Sequence, residues 1–201
     1  MTQIIYDLEF NTAYKIDRIT RRLLKGDAHP ECPQEIIEIG AVKLNDSGEI
    51  LDTFQMMVKP TLYHKMHPKI RQKTKITMEQ LELGLPFTEA VEVFRDWIDA
   101  DEPVMGSWGR DDHQEFLRNC KFHGLETQWF HKHLDIQQLC MTYFASPKGQ
   151  QVGLKKAVEH FGIHLTNSFH KALHDAIYTA HVYRALRETE EADDLMVESQ
   201  G

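Results

Sequence analysis

Eight residues near the amino terminus, Gln3-Ile4-Ile5-Tyr6-Asp7-Leu8-Glu9-Phe10, constrain this chain most. Their Ile, Tyr and Phe content predicts a β-strand. Apolar side chains on both faces mark it as a central strand covered on both sides. Two carboxylates interrupt the run. Residues two apart on a strand share a face, so Asp7 and Glu9 point the same way at the end of an otherwise buried strand. Anions this close in a low-dielectric setting repel, and one takes a proton unless a cation lies between them. A divalent ion held by oxygen ligands is the simplest resolution. The same spacing recurs at Asp99-Ala100-Asp101, Glu188-Thr189-Glu190 and Glu191-Ala192-Asp193, but in polar surroundings that read as solvated surface.

With 201 residues the chain is long enough for one domain with a full hydrophobic core. No apolar run reaches membrane-spanning length, and no basic-then-apolar leader precedes the first strand, so neither a membrane nor export is expected. Cys32, Cys120 and Cys140 lack a CxxC spacing and fit neither a disulfide framework nor a zinc finger, which points to a reducing cytoplasm. A net charge of −8 argues on its face against a nucleic-acid binder. The charge is unevenly spread, however. Lys59, Lys65, Lys69, Arg71, Lys73 and Lys75 form one stretch without an acid, and Lys15, Arg18, Arg21, Arg22 and Lys25 face only Asp17. Much of the negative excess falls after Arg187, in Glu188, Glu190, Glu191, Asp193, Asp194 and Glu198. Residues 1–187 are therefore expected as the domain, and 188–201 as an acidic, disordered tail.

The polar stretch from Asn11 to Gln34 is expected to form a flap beside the carboxylate pair, with a short helix over Arg18 to Lys25. Residues Glu35 to Leu44 and Glu49 to Val58 read as a long antiparallel hairpin around Asn45-Asp46-Ser47-Gly48. Thr77 and Gln80 have capping-box spacing. Thr88 is expected to cap a helix whose Ala90, Val91, Phe94, Trp97 and Ile98 follow the helical period. A short buried strand over Pro103 to Trp108 precedes a helix opened by Asp112, a last strand falls within His131 to Ile136, and a final helix runs from about Lys171 to Arg187. This order predicts an α/β fold, a mixed five-stranded sheet with helices on both faces. Sites in such sheets lie beyond the carboxyl ends of the strands.

Asp112 precedes Phe116 by one helical turn, so if Phe116 packs on the sheet, Asp112 lies at its rim. A plain helix cap is the alternative, and Asp111 competes for any role. Near the other end of the chain, Phe169-His170-Lys171-Ala172-Leu173-His174-Asp175 sets a His five residues before an Asp, the His ahead of the helix and the Asp in its first turns. Taken together, Asp-x-Glu in the first strand, Asp at the helix after the fourth strand and His-x4-Asp at the last helix resemble the DEDDh class of DnaQ-like 3′→5′ exonucleases, with the ribonuclease H-like fold. Asp7-Leu8-Glu9-Phe10, Glu35-Ile36-Ile37-Glu38-Ile39-Gly40, Val58-Lys59-Pro60 and Ser107-Trp108-Gly109-Arg110-Asp111-Asp112 most resemble the subgroup of the sporulation inhibitor KapD and the eukaryotic RNA-trimming exonucleases. In that subgroup a Trp-Gly-x-x-Asp spacing carries the third acid, which selects Asp112 over Asp111.

The resemblance implies hydrolysis of terminal phosphodiester bonds at a free 3′ end of RNA or single-stranded DNA, releasing nucleoside 5′-monophosphates. RNA is favoured on the subgroup alone. It implies two divalent ions, Mg²⁺ or Mn²⁺, held by oxygen ligands. Asp7 would bridge both, Glu9 and Asp175 would complete one site, and Asp112 would help hold the other. His170 would accept the proton of the attacking water, a role suited to a group titrating near neutrality. Phe10 and Trp108 are candidates to stack on terminal bases, with burial in the core as the competing role. Asn11 stands where the family often has Thr, close to the terminal sugar, and is a candidate substrate-binding residue there despite that departure. His174 stands where relatives frequently have Asp and is expected outside the catalytic set. The rival readings are an endonuclease or resolvase of the same fold, a zinc hydrolase built on His160/His164 or His170/His174, and a catalytically idle regulatory module of the same fold.

Overall fold

The computed structural model describes residues 2–147, 150–164 and 168–198. In chain order, β1 (Gln3–Asn11) leads into a small hairpin, β2 (Tyr14–Ile16) and β3 (Leu23–Lys25), then into β4 (Glu35–Leu44) and β5 (Ile50–Lys59). Two short helices, α1 (Pro68–Thr74) and α2 (Met78–Leu81), precede β6 (Leu85–Pro86) and α3 (Phe87–Ile98). Then come β7 (Val104–Ser107), α4 (Asp111–Phe122), β8 (His133–Asp135), α5 (Ile136–Tyr143), α6 (Leu154–His160) and α7 (Ala172–Glu198).

The main sheet has the order β6-β5-β4-β1-β7-β8. It is mixed: β1, β4 and β5 pair antiparallel, while β7 lies parallel to β1 and β8 parallel to β7. Six strands stand where five are expected. The extra one is β6, whose Leu85 and Pro86 pair parallel with Val58 and Lys59. Gly84 and Pro86 read as chain breakers, but proline is tolerated on an edge strand. Gly84 permits the approach, since a Cβ there would lie 2.4 Å from the Met57 carbonyl oxygen.

The alternation of β1 divides the core. Ile4, Tyr6 and Leu8 join Phe87, Phe94, Phe116 and Phe130 on the face covered by α3 and α4. Ile5 faces the other way, into a cluster with Val42, Ile136, Val158, Tyr178 and Val182 under α5, α6 and α7. Asp7 and Glu9 share the parity of Ile5 and so lie on the α7 side. Apolar residues meet water in neither layer of β4, whose Ile36, Ile37, Ile39, Ala41 and Val42 are all fully buried.

Gly40 lets α7 approach the sheet: a Cβ at this position would stand 2.0 Å from the Leu173 backbone nitrogen. Neither the central strand nor the helix start has a flexible side chain to yield. Gly40→Ala is therefore expected to destabilise the fold by roughly 3 kcal/mol, the upper end of overpacking costs, read as a lower urea midpoint at unchanged slope.

Local expectations hold where the chain governs itself. Thr77 and Gln80 form the reciprocal capping box at α2. Thr88 does not cap α3; Pro86 occupies the cap position and the helix starts at Phe87. No helix forms over Arg18 to Lys25. The Asp17 carboxylate accepts the backbone N–H groups of Ile19 and Thr20, and Arg21 takes a left-handed conformation, φ 58°, which turns the chain back. The final helix does not stop at Arg187: its backbone is helical to Glu198, through most of the segment expected as a disordered tail, and residues 199–201 lie outside the described residues.

Candidate active site

Asp7 and Glu9 close the carboxyl end of β1, Asp7 half-buried and Glu9 buried. Burial, together with the neighbouring Asp112, Asp175 and Glu9 charges, pushes the Asp7 carboxyl well above its ordinary range. Burial first, then Asp175 and Glu38, raises Glu9 to about 7. Asp112 is raised to about 8 by burial, Glu9, Asp111 and Asp175. Burial also raises Asp175. The four acids thus lie within one another's fields, although they come from three separate elements.

Each is delivered by its own local device. Asp112 lies in the first turn of α4, and Phe116 one turn on is fully buried against the sheet. Helix α4 has Arg110 at its cap position and no side-chain cap bond, so neither Asp111 nor Asp112 serves as a helix cap. Asp175 lies in the first turn of α7. That turn is seated by Glu38, a fully buried carboxylate that accepts the Ala172 N–H at 3.2 Å and the Gln55 side-chain amide at 2.7 Å. His170 precedes the helix with φ 70°, and its N–H donates to Asp175 Oδ2 at 3.0 Å. Its imidazole is exposed, and desolvation with the nearby Lys73 charge lowers its pKa below the ordinary 6.5.

Among the described residues, the group of three or more His, Cys, Asp and Glu side chains placed to share an ion is Glu9, His170 and Asp175, with ligand atoms all within 4.8 Å of one another. Asp175 Oδ1 is buried and has no hydrogen-bond partner. A buried carboxylate oxygen without a donor is costly, and a hard divalent cation among carboxylates removes that cost and the mutual repulsion together. The donor set fits Mg²⁺ or Mn²⁺, which prefer oxygen ligands. His174 is not in the group; its Nδ1 contacts the Ser168 carbonyl at 2.9 Å.

Asn11 requires a correction. Its side chain is fully buried, its amide donates to the Tyr63 and Lys65 carbonyls at 3.1 Å each, and its Oδ1 accepts the His67 N–H at 3.0 Å. It pins the chain before α1, with both amide hydrogens committed and the side chain closed off from solvent. Trp108 is half-buried against the α5–α7 cluster, with its indole N–H donating to the Val152 carbonyl at 3.2 Å. Phe10 is half-buried at the margin of the opposite core layer.

Two residues near the site carry no signal of a role when the sequence is read alone. Lys73, at the end of α1, acts on Asp7, Glu9, Asp112 and Asp175 alike and lowers the pKa of each. In sequence it is one member of a basic stretch. Glu38 sits cross-strand from Glu9, and in sequence it is one of two acids in an apolar run. The period-two rule identifies Glu38 as a cross-strand neighbour of Glu9 only once the register is known.

A sheet with acids gathered at the carboxyl end of its central strand, and a His on the loop beside them, is built to hold divalent cations. The profile of the exonuclease family RNase_T matches residues 4–183, and the chain belongs to that family. It is 27% identical over 154 residues to "Probable 3'-5' exonuclease KapD" of Bacillus subtilis (strain 168), an alignment covering 77% of this chain and 74% of that protein. Its fold matches the nuclease domain of 3'hExo, a DEDDh family member bound to rAMP, with a TM-score of 0.75 at 22% identity, covering 94% of this chain and 92% of that one. It also matches E. coli Exonuclease I in complex with a dT13 oligonucleotide, with a TM-score of 0.70 at 15% identity, covering 97% of this chain and 43% of that one.

Proposed function

We propose that the chain is a 3′→5′ exonuclease that hydrolyses the terminal phosphodiester bond of RNA or single-stranded DNA and releases nucleoside 5′-monophosphates. The observation that carries this reading is the Glu9–His170–Asp175 group with its unpartnered buried Oδ1, at the carboxyl end of β1 beside Asp7 and Asp112. Asp7, Glu9, Asp112 and Asp175 would hold two divalent ions, Mg²⁺ or Mn²⁺. Bound there, such ions supply Lewis acidity that offsets charge on the phosphate and on the departing 3′ oxygen.

The protein's own groups do the rest. Asp175 holds the His170 backbone at 3.0 Å and so sets the imidazole at the rim. His170, its pKa held low, is unprotonated at neutral pH and takes the proton of the attacking water. Phe10, next to Glu9 in the chain and half-buried, would offer its exposed edge to the terminal base, and Trp108 is held in the α5–α7 cluster by its bond to Val152. RNA is favoured over DNA by the KapD-type motifs and by the rAMP held in the similar 3'hExo domain. Residues 1–187 form the catalytic unit, and a reducing cytoplasm suits the three free buried cysteines. Among the described residues no helix is long and apolar enough to cross a membrane.

The test is a digestion panel of labelled RNA and DNA, single- and double-stranded, with Mg²⁺, Mn²⁺ or EDTA. A 3′ label should be lost first and a 5′-labelled strand shortened stepwise, only with metal. Internal cleavage would turn the assignment to an endonuclease, and inertness on every substrate would favour the idle module of the same fold.

A further inference from the structure

The hairpin of β2 and β3 grows from the carboxyl end of β1, just past the acids, and the site reading above gives it no task. Its strands pair Tyr14 with Lys25, Lys15 with Leu24 and Ile16 with Leu23. It stands away from the body: Ile16 is 51%, Ile19 92% and Leu24 47% exposed. Lys15, Arg18, Arg21, Arg22 and Lys25 are all exposed, on a chain whose net charge is −8.

The two acids within reach offset only part of this charge. Asp27 is taken by Lys15. Asp17 uses its Oδ1 to accept the Ile19 and Thr20 N–H groups and the Thr20 hydroxyl, which builds the turn. Arg18, Arg21, Arg22 and Lys25 therefore have no carboxylate partner among the described residues. A native hairpin that gathers five cations against two acids, with three exposed apolar side chains, does so at a cost in self-repulsion.

Its base is tied to the site. The Tyr14 ring packs edge-on against His67 at 5.4 Å, and His67 is the cap residue of α1. Helix α1 carries Lys69, Arg71 and Lys73, and Lys73 acts on all four acids. The two basic stretches, far apart in sequence, are thus joined at the Tyr14–His67 contact. At about 3.3 Å per residue, the start of the turn at Asp17, six residues on, lies within roughly 20 Å of Asn11, the length of several nucleotides.

We infer that this hairpin is an arm that grips the sugar–phosphate backbone of the nucleic-acid strand upstream of the 3′ end. The proposal rests on the exonuclease reading. Phosphates are the ligand class that four unpaired guanidinium and ammonium groups recognise, and Ile16, Ile19 and Leu24 offer contacts to bases and sugars between them. A protein partner fits less well, because the cores of such interfaces are depleted in charged residues while this arm is dominated by charge.

The experiment compares wild type with Arg18→Gln/Arg21→Gly/Arg22→Gln, all at exposed positions. Glycine suits the left-handed backbone at residue 21, so the variant keeps the turn. Binding of a labelled 20-nucleotide RNA and its DNA counterpart is followed by fluorescence anisotropy in EDTA across a salt series. The variant should bind roughly tenfold or more weakly, and the slope of log affinity against log salt should shrink by about 2, near 0.7 per lost phosphate contact on a single strand. Equal affinity and slope in the two proteins would overturn the arm. Metal-dependent cleavage of a dinucleotide by the wild type tests the exonuclease reading separately, since so short a substrate does not reach the turn.

Discussion

Substituting His170 by alanine is expected to lower the rate of phosphodiester hydrolysis by roughly 10²–10⁴-fold, the range for a lost general base. The metal-induced rise in thermal stability should survive. The two readouts separate two roles that the geometry permits. His170 lies within 4.8 Å of Glu9 and Asp175 in its ligand atoms and is positioned to bind metal as well as to accept a proton. A base that touches only water leaves the metal midpoint unchanged, whereas a ligand moves it. The pH profile adds a second check. Desolvation and Lys73 hold the imidazole below its ordinary 6.5, so it is neutral at pH 7 and protonates only on acidification. Turnover in the wild type should fall on the acid side, and the residual activity of His170→Ala should lose that imidazole-dependent limb. Wild-type rates in the alanine variant would remove His170 from the mechanism.

The second large effect concerns stability. In the metal-free fold the acids bind protons more tightly than in the unfolded chain, because burial and mutual repulsion raise Glu9 to about 7 and Asp112 to about 8, with Asp7 and Asp175 raised as well. A raised pKa contributes stability that is present below the unfolded value and is lost as pH rises through the folded one. The metal-free protein should therefore lose stability from about pH 4 to pH 8. Each pKa unit corresponds to about 1.4 kcal/mol, so Glu9 alone, moving from 4.5 to about 7, contributes on the order of 3 kcal/mol. For a chain of this length that is a fall in melting temperature of roughly 5–10 °C between pH 5 and pH 8. Mg²⁺ or Mn²⁺ should restore it, most strongly at pH 8, where the ligands are ionised. Asp7→Asn should raise the metal-free melting temperature at pH 8 while abolishing most of the metal-induced rise. Melting curves in EDTA and in metal across that pH range decide the matter, and a flat metal-free profile would mean that the acids are not packed as described.

Much of the site was legible before the fold was known, for reasons that differ by residue. Asp7 and Glu9 were placed by strand alternation, a local rule. Asp112 was placed at the sheet rim by its one-turn offset from Phe116, and the fully buried Phe116 supports that argument. The hairpin of β4 and β5 and the capping box at Thr77 followed from turn and cap chemistry that acts over a few residues. Asn11 was carried over as a substrate contact from its place in the family motif, while its bonds run to residues 63–67. The arm of β2 and β3 was misread as a helix because composition there is charged and aperiodic. The deciding event is a single carboxylate, Asp17, closing a turn. The sixth strand was missed because two residues with a proline carry no strand pattern, and only the neighbouring edge of β5 makes them one.

The sequence by itself determined which side chains are candidates for the site, and that two of them share a strand face, because those facts depend on residue identity and on a period of two. Only the tertiary structure decided that α4 and α7 meet at the end of β1, through the parallel pairing with β7 and the close seat of α7 on Gly40. It alone decided that Glu38 holds the first turn of α7 and that Lys73 overlooks the acids. These are contacts between groups remote in the chain, and their energies are set by register and packing, which no local pattern encodes.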